Sequence, residues 1–159
     1  MRSTLFTLLF FFSTIYTNAQ MGSAKQVTWS YNAKKIANNI FELSITANIA
    51  GNYHLYAIKA GVEGPVPTTI NFNPNPLITL EGSIIEKGKK ITKLESAWGG
   101  NVNFFEKTVT FTQKAKTKTN AKTNVNGKIQ FMVCNDEMCL PPSEITFKIP
   151  IGEIGRAHV

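Results

Sequence analysis

The chain contains two cysteines, Cys134 and Cys139, five positions apart in the segment FMVCNDEMCLPP (residues 131–142). Two thiols at this spacing are compatible with a structural disulfide, with part of a metal site and with a redox-active pair. Cys134 ends the β-rich run KIQFMVC, and Pro141 and Pro142 follow Cys139 almost at once. Because proline has no backbone donor and cannot join a central ladder, we expect the pair at the end of a strand, where a partner can reach it.

A metal site is poorly supplied with ligands. Structural zinc takes four ligands, whereas the chain offers two cysteines and His54 as a third. Copper(I) is a softer ion that accepts thioether ligands, and Met132 and Met138 flank the cysteines. Met132 is also compatible with ordinary packing inside a strand. We predict neither a metal nor a cofactor, and copper(I) handling is retained as an alternative.

The residue types and their spacing do not decide between a structural disulfide and a redox-active pair. Export would make oxidation permissible. Closing so short a loop stabilises a fold by only about 2 kcal/mol, and a domain of this length can form a core without a disulfide. Against a redox role, Asp136 and Glu137 lie between the thiols and disfavour thiolate formation. A noncatalytic β-sandwich binding module with a structural disulfide is therefore a second hypothesis.

The N-terminal segment, residues 1–19, is typical of a secretory signal peptide. Arg2 supplies a positive start, residues 5–16 are dominated by Phe and Leu, and the sequence TNA precedes the expected cut. The apolar run is too short to span a bilayer core of about 30 Å. We predict cleavage between Ala19 and Gln20, and export of the protein.

The C-terminal segment EIGRAHV (residues 153–159) breaks the alternating pattern that precedes it. Its back-translation matches a common sequencing adapter. We therefore expect the natural chain to continue past about Gly152, and we assign no function to Arg156 or His158. The expected folded part is a single domain, residues 20–152.

This domain is basic. Leaving out Arg2, Glu153 and Arg156 from the 17 basic and 10 acidic residues of the chain gives 15 lysines, 9 acidic residues and a net charge of +6. The lysines are dispersed, and no groove-entering element rich in Arg and Asn is visible. We interpret them as a solvated basic surface and predict no nucleic-acid partner.

Alternating apolar residues predict strands throughout the domain. The clearest case is FELSITANIA (residues 41–50), in which every second residue from Phe41 is apolar. Further β-rich runs are TVTFTQ (residues 108–113), residues 129–133 and residues 145–149. Seven to nine short strands without a convincing amphipathic helix favour an all-β antiparallel sandwich, with a barrel as the second choice.

Turn signals separate these runs. They are Gly51-Asn52, the asparagine–proline segment 73–76, Gly99-Gly100 and Asn126-Gly127. Residues 114–128 are rich in Lys, Thr and Asn. We expect that segment to be an exposed connection.

Four motifs give residues 27–151 a resemblance to a known family. They are YHLY (53–56), GPVPTT (64–69), NFFEK (103–107) and VCNDEMCLPP (133–142), of which the last is the most specific. In this order and on an all-β background, the sequence resembles the N-terminal periplasmic domain of the thiol:disulfide interchange protein DsbD. The resemblance implies an immunoglobulin-like β-sandwich with the cysteine pair at an exposed end.

In that family, the domain takes electrons from a membrane-embedded partner domain through a thioredoxin-like one, and passes them to periplasmic acceptor proteins. The resemblance therefore implies a periplasmic thiol–disulfide oxidoreductase with these partners. It also implies that Cys139 forms the mixed disulfide with a partner and that Cys134 resolves it. In a longer chain, the family's membrane segment would follow soon after Ile151 and tether the protein to the inner membrane.

The resemblance also assigns residues around the cysteines. The family covers its pair with an aromatic side chain on a cap loop, and Phe104 matches it, with Phe105 beside it. Since adjacent strand residues point to opposite faces, we expect one of the two rings to lie outside the core. Tyr56 and His54 would share a face near the cysteines, where either can donate a hydrogen bond to a thiolate and lower its pKa. Pro141 completes this group, and edge packing is an equal alternative for His54.

Two features depart from a known member of the family. The gap between the cysteines holds four residues (135–138) where that member has five, and His54 stands where it has a tyrosine. The shorter gap bears on the geometry of the loop rather than on the redox assignment.

Overall fold

The computed structural model describes residues 22–118 and 122–152. Within these ranges the chain forms nine strands, two short 3-10 helices (Ser23–Gln26 and Ser96–Trp98) and no α-helix. The strands are β1 (Val27–Ala37), β2 (Ile40–Ile49), β3 (His54–Tyr56), β4 (Thr69–Phe72), β5 (Ile78–Glu95), β6 (Gly100–Thr117), β7 (Thr123–Phe131), β8 (Val133–Cys134) and β9 (Ser143–Ile151). The predicted signal peptide with its cleavage site, and the tail 153–159, lie outside the described residues.

The strands form two antiparallel sheets that share one hydrophobic core. The larger sheet has the order β1-β2-β6-β3-β8, with β5 paired to the other edge of β6, and the smaller sheet has the order β4-β7-β9. This arrangement confirms the predicted all-β, immunoglobulin-like antiparallel sandwich. None of the helices in the described ranges is long and apolar enough to cross a membrane.

The alternation of β2 explains why the sheets pack together. Its five inward residues are all no more than 7% exposed: Phe41, Leu43, Ile45, Ala47 and Ile49. Inward residues of the smaller sheet face them, among them Ile129 and Phe147. A large apolar side chain stabilises the fold by about 1.5–3 kcal/mol when it is fully buried. The predicted period of two over residues 41–50 is confirmed.

Asn126-Gly127 lies inside β7, so the turn predicted there is wrong. A side chain at position 127 would collide with the carbonyl of Asn71 and the ring of Phe147. Glycine is needed there for close packing between strands, not for a change of chain direction.

The prediction of an exposed connection over residues 114–128 is also wrong for most of its length. β6 continues to Thr117, and β7 begins at Thr123. In the described part of this segment, exposed lysines alternate with buried residues: Lys114, Lys116 and Lys128 are exposed, whereas Ala115, Thr117 and Val125 are buried. In contrast, the turns predicted at Gly51 and Gly99 are confirmed, and both glycines have positive φ (57° and 68°).

The larger sheet changes its pairing halfway along β6. One edge of β6 pairs with β3 over residues 104–106 and with β2 over residues 108–116. Lys107, between them, has a φ of 61°, and β5 is irregular opposite this point, between Gly88 and Lys90. Beyond this irregularity, β5, β6, β3 and β8 form the half of the sheet that contains Cys134.

Candidate functional site

The two cysteines are joined in a disulfide, with their Cα atoms 4.0 Å apart. Cys134 ends β8, and Cys139 pairs with it as an isolated bridge, so that the segment between them is a tight hairpin. The amide of Leu140 donates to the carbonyl of Val133 at 3.0 Å. Backbone hydrogen bonds therefore hold the two arms of the hairpin together alongside the covalent bond.

The residues between the cysteines are organised by Asn135. Its side-chain carbonyl accepts hydrogen bonds from the backbone amides of Glu137 (3.0 Å) and Met138 (2.8 Å). Its backbone amide donates to the carbonyl of Met138 (2.9 Å). Asparagine commonly forms such local turns. The four-residue gap therefore has a self-contained geometry.

The two cysteines differ sharply in solvent exposure. Cys134 is 2% exposed, whereas Cys139 is exposed. In thiol–disulfide exchange a thiolate attacks one sulfur and the other leaves, so access decides which sulfur is attacked. This geometry favours attack at Cys139 with Cys134 as the leaving group.

Two side chains of β3 lie beside the buried sulfur. His54 is the cross-strand partner of Cys134. The hydroxyl of Tyr56 donates to Sγ of Cys134 at 3.3 Å, and Nε2 of His54 lies 3.4 Å from the same hydroxyl. The YHLY motif thus brings a phenol and an imidazole to the cysteine pair.

Burial sets the protonation of both groups. It raises the pKa of Tyr56 above the ordinary value, so the phenol keeps its proton at neutral pH and remains a donor. Burial also lowers the pKa of His54, although Glu95, Glu106 and Asp136 act in the opposite direction. His54 is therefore neutral at neutral pH.

A second hydrophobic cluster, which we call the outer cluster, surrounds these groups on the face of the larger sheet opposite to the main core. Its buried members are Tyr56, Ala60, Val102, Phe104, Met132 and Cys134, and the half-buried Val62, Val66, Ile91 and Trp98 pack against it. The buried sulfur therefore lies in an apolar environment.

The two phenylalanines of NFFEK point to opposite faces of β6. Phe104 belongs to the outer cluster, and its ring centroid lies 4.4 Å from that of His54. Phe105 belongs to the main core. Phe104 thus lies outside the main core, but the outer cluster covers its face of the sheet, so that Phe104 is 4% and Phe105 0% exposed. Phe104 lies within a strand that is paired on both edges, not on a loop.

The aromatic side chain that a turn brings to the outer cluster is Trp98, which no motif in the sequence marks. It follows β5 in the second 3-10 helix and packs against the cluster that contains Tyr56. Gly64, in the GPVPTT motif, packs so closely on the Trp98 ring that it leaves no room for a side chain. Thr68 of the same segment is buried and donates to the carbonyl of Tyr56 at 2.6 Å. This motif therefore supports Tyr56 and Trp98.

Ser23, also absent from the sequence-based selection, lies at the base of the cysteine hairpin. It is fully buried, and its hydroxyl donates to the carbonyl of Pro141 at 2.9 Å. The predicted site residue Pro141 is itself exposed and contributes this carbonyl. Because Ser23 is more than 100 positions away from the cysteines, no local signal in the sequence connects them.

An open cleft of about 310 Å³ adjoins the hairpin. His54, Phe104 and Asp136 line it, together with the charged side chains of Lys93 and Glu106. The surface beside the disulfide thus carries charges of both signs in a protein with a positive net charge.

The thioether groups considered for copper(I) lie in different environments. Met132 is 6% exposed and packs in the outer cluster, whereas Met138 is 53% exposed. Within the described ranges, no group of three or more His, Cys, Asp and Glu side chains is arranged to hold a metal ion.

Comparison with known proteins places this geometry in a family. The family model described as "Thiol:disulfide interchange protein DsbD, N-terminal" matches residues 19–150. The chain belongs to the DsbD N-terminal domain family. This membership and the disulfide-bonded pair are consistent with thiol–disulfide exchange. No curated protein matches the chain.

Solved structures share the fold of this DsbD-family chain. The reduced DsbD N-terminal domain from Neisseria meningitidis is 14% identical (TM-score 0.55), and the match covers 81% of this chain and 88% of that one. The N-terminal periplasmic domain of ScsB from Proteus mirabilis is 16% identical (TM-score 0.56), over 77% of this chain and 45% of that one. A complex of the DsbD and PilB N-terminal domains from Neisseria meningitidis gives 14% identity and a TM-score of 0.51, over 82% and 88%.

Proposed function

We propose that this domain is a thiol–disulfide oxidoreductase that carries electrons through the Cys134–Cys139 pair. It accepts two electrons from a reduced partner and passes them to acceptor proteins that contain a disulfide. The observation that carries the proposal is the asymmetry of the pair, in which an exposed Cys139 is bonded to a Cys134 that is 2% exposed and accepts a hydrogen bond from Tyr56.

Reduction of the domain begins at the exposed sulfur. A partner thiolate attacks Sγ of Cys139, the Cys134–Cys139 bond breaks, and Cys134 leaves as a thiolate that Tyr56 stabilises with its hydrogen bond. A second thiol of the partner then attacks the partner's sulfur in the mixed disulfide and releases Cys139. The partner becomes a disulfide, and the domain holds two thiols after taking up two electrons and two protons.

Oxidation reverses these roles. The thiolate of Cys139 attacks the acceptor disulfide and displaces one acceptor thiol. The thiolate of Cys134 then attacks Sγ of Cys139, which restores the intramolecular bond and releases the second acceptor thiol. Cys139 thus forms every mixed disulfide, and Cys134 resolves it.

The outer cluster supports a protective role for its aromatic rings. Phe104 and Trp98 pack in the same cluster as the buried sulfur, and His54 lies against Phe104. Apolar rings at this position slow the approach of small oxidants to Cys134 while Cys139 stays open to a docked partner. We assign Phe104 and Trp98 to this shield, and Phe105 supports it from the core.

The partners follow from family membership. We assign a thioredoxin-like domain of the same reductase system as the electron donor, itself reduced by a membrane-embedded domain, and periplasmic thiol–disulfide proteins as acceptors. The DsbD N-terminal domain of Neisseria meningitidis forms a complex with a PilB N-terminal domain, and the ScsB relative is a periplasmic domain. The periplasmic ScsB domain supports a periplasmic location. A tether to the inner membrane in the full-length protein is assigned from the family resemblance alone.

The hairpin gives a physical argument against a structural disulfide. Its arms are already joined by the bond from Leu140 to Val133 and by the Asn135 turn. Closing so short a loop adds only about 2 kcal/mol. A disulfide that contributes so little to stability and exposes one cysteine is better suited to exchange.

The proposal is tested by trapping. Cys134→Ser leaves Cys139 as a single thiol, and Cys139→Ser is the matched control that leaves only the buried Cys134. With glutathione disulfide, we expect Cys134→Ser to form its mixed disulfide at least tenfold faster than the control, measured by mass spectrometry. Reduced thioredoxin should also reduce the disulfide of the wild-type protein. Equal, slow trapping of both variants together with no reduction by thioredoxin would contradict the proposal.

A further inference from the structure

A single buried hydroxyl bridges the two arms of the cysteine hairpin. The amide of Val133, one residue before Cys134, donates to Oγ of Ser23 at 3.1 Å. The same Oγ donates to the carbonyl of Pro141 at 2.9 Å, with the carbonyl of Leu140 at 3.4 Å as the alternative acceptor. Ser23 is 0% exposed, so water cannot replace these bonds.

The backbone around Ser23 fixes the hydroxyl in this position. The amide of Ser23 also donates to the carbonyl of Pro141, at 3.2 Å. The next amide, that of Ala24, donates to Oγ of Ser143 at the start of β9 (3.0 Å). The N-terminal 3-10 helix is therefore tied to the chain on the far side of the cysteines, and Ser23 reaches back to β8.

We propose that Ser23 is a positioning residue that holds the two thiols close together in the reduced protein. This inference rests on the proposed function. In the oxidised state the disulfide itself joins the arms, so the hydroxyl is partly redundant. In the reduced state the covalent link is gone, and Ser23 acts together with the Asn135 turn and the bond from Leu140 to Val133 to keep the two sulfur atoms at a short distance.

This difference between the two states makes the reduction potential the informative readout. When the thiols are held together, less conformational entropy is lost on forming the disulfide, so their effective concentration is high. Without the hydroxyl, the reduced arms separate more freely and the disulfide becomes easier to reduce. We expect Ser23→Ala to lower the effective concentration about threefold to tenfold, and a tenfold change corresponds to a potential about 30 mV less negative.

The experiment compares wild type, Ser23→Ala and the control Ser143→Ala by equilibration with glutathione. Ser143→Ala makes the same chemical change and loosens the same helix, but leaves the Ser23 bridge intact. The inference predicts a shift for Ser23→Ala and none for Ser143→Ala. An unshifted Ser23→Ala, or an equal shift in both variants, would overturn it.

A second measurement needs no variant. Because Ser23 holds the reduced arms, hydrogen exchange at the Val133 amide should change less than threefold when the wild-type protein is reduced. An increase of tenfold or more would show that the bridge opens, and would overturn the inference even if Ser23→Ala failed to fold.

The two claims fail differently. A wild-type disulfide that reduced thioredoxin cannot open would contradict the proposed function. The difference between wild type and Ser23→Ala, measured with glutathione alone, decides the role of Ser23 in either case.

Discussion

The hydroxyl of Tyr56 lies 3.3 Å from Sγ of Cys134 and donates a hydrogen bond to it. Tyr56 is 1% and Cys134 2% exposed, so water contributes little at this sulfur. A negative charge that appears on Cys134 during exchange is costly in such an environment unless a donor meets it. Tyr56 is the donor that the fold supplies.

Tyr56→Phe should therefore slow reduction of the disulfide. A hydrogen bond to a charged group contributes about 1.5–3 kcal/mol, so we expect a rate of reduction by dithiothreitol at least about tenfold lower. Tyr53→Phe is the control, because it also removes a tyrosine hydroxyl, but from a ring that packs against the main core. Equal rates in the two variants would show that the hydrogen bond does not assist the leaving group.

Phe104→Ala should open the shield over the buried sulfur. In a Cys139→Ser background, where Cys134 is the single thiol, we expect faster reaction with an aromatic disulfide, followed by absorbance. The variant should also lose about 3–5 kcal/mol of stability, the range for large-to-small core changes, so rates are compared under conditions where it is folded. Phe72→Ala, in the smaller sheet, is the control. If the rate with Phe104→Ala does not rise above that control, Phe104 is a packing residue only.

The pH dependence of stability should contain a contribution from His54. Because burial lowers its pKa below the unfolded value near 6.5, the unfolded chain binds the proton more readily. This contribution is fully favourable above about pH 6.5 and is lost as the pH falls through 6.5 towards the folded pKa. His54→Tyr keeps an aromatic ring and should lose less stability between about pH 7.5 and pH 5.5. Urea unfolding that shows the same loss in both proteins would refute this.

Cys139→Ser should fold. Loss of the short covalent loop should cost about 2 kcal/mol, because the Asn135 turn and the bond from Leu140 to Val133 remain. The free energy of unfolding in urea, with wild type reduced and oxidised as references, measures this. A variant that is unfolded in buffer would favour the structural disulfide.

The parts of the fold that could be predicted are those in which local pattern and packing agree. β2 buries every second residue, as its sequence indicates, because one face of it forms the core. Asn126-Gly127 is a strong local turn signal, but the contact of Gly127 with Phe147 overrides it. β5 was not predicted, because its apolar residues are sparse and most of its length is polar and solvent-exposed.

The candidate site divides in the same way. The cysteines, His54 and Tyr56 could be selected because short motifs and the family resemblance mark them. Ser23 and Trp98 could not, because their roles depend on contacts between segments far apart in the sequence. The position of Phe104 was predicted near the cysteines, but its burial depends on the whole outer cluster.

The most direct test of the central claim is the reduction potential of the Cys134–Cys139 pair, measured by equilibration with glutathione, acid trapping and mass spectrometry. A redox-active pair should have a potential above roughly −300 mV, within reach of thioredoxin-like partners at about −270 mV. A potential well below roughly −300 mV, typical of structural disulfides, would contradict it.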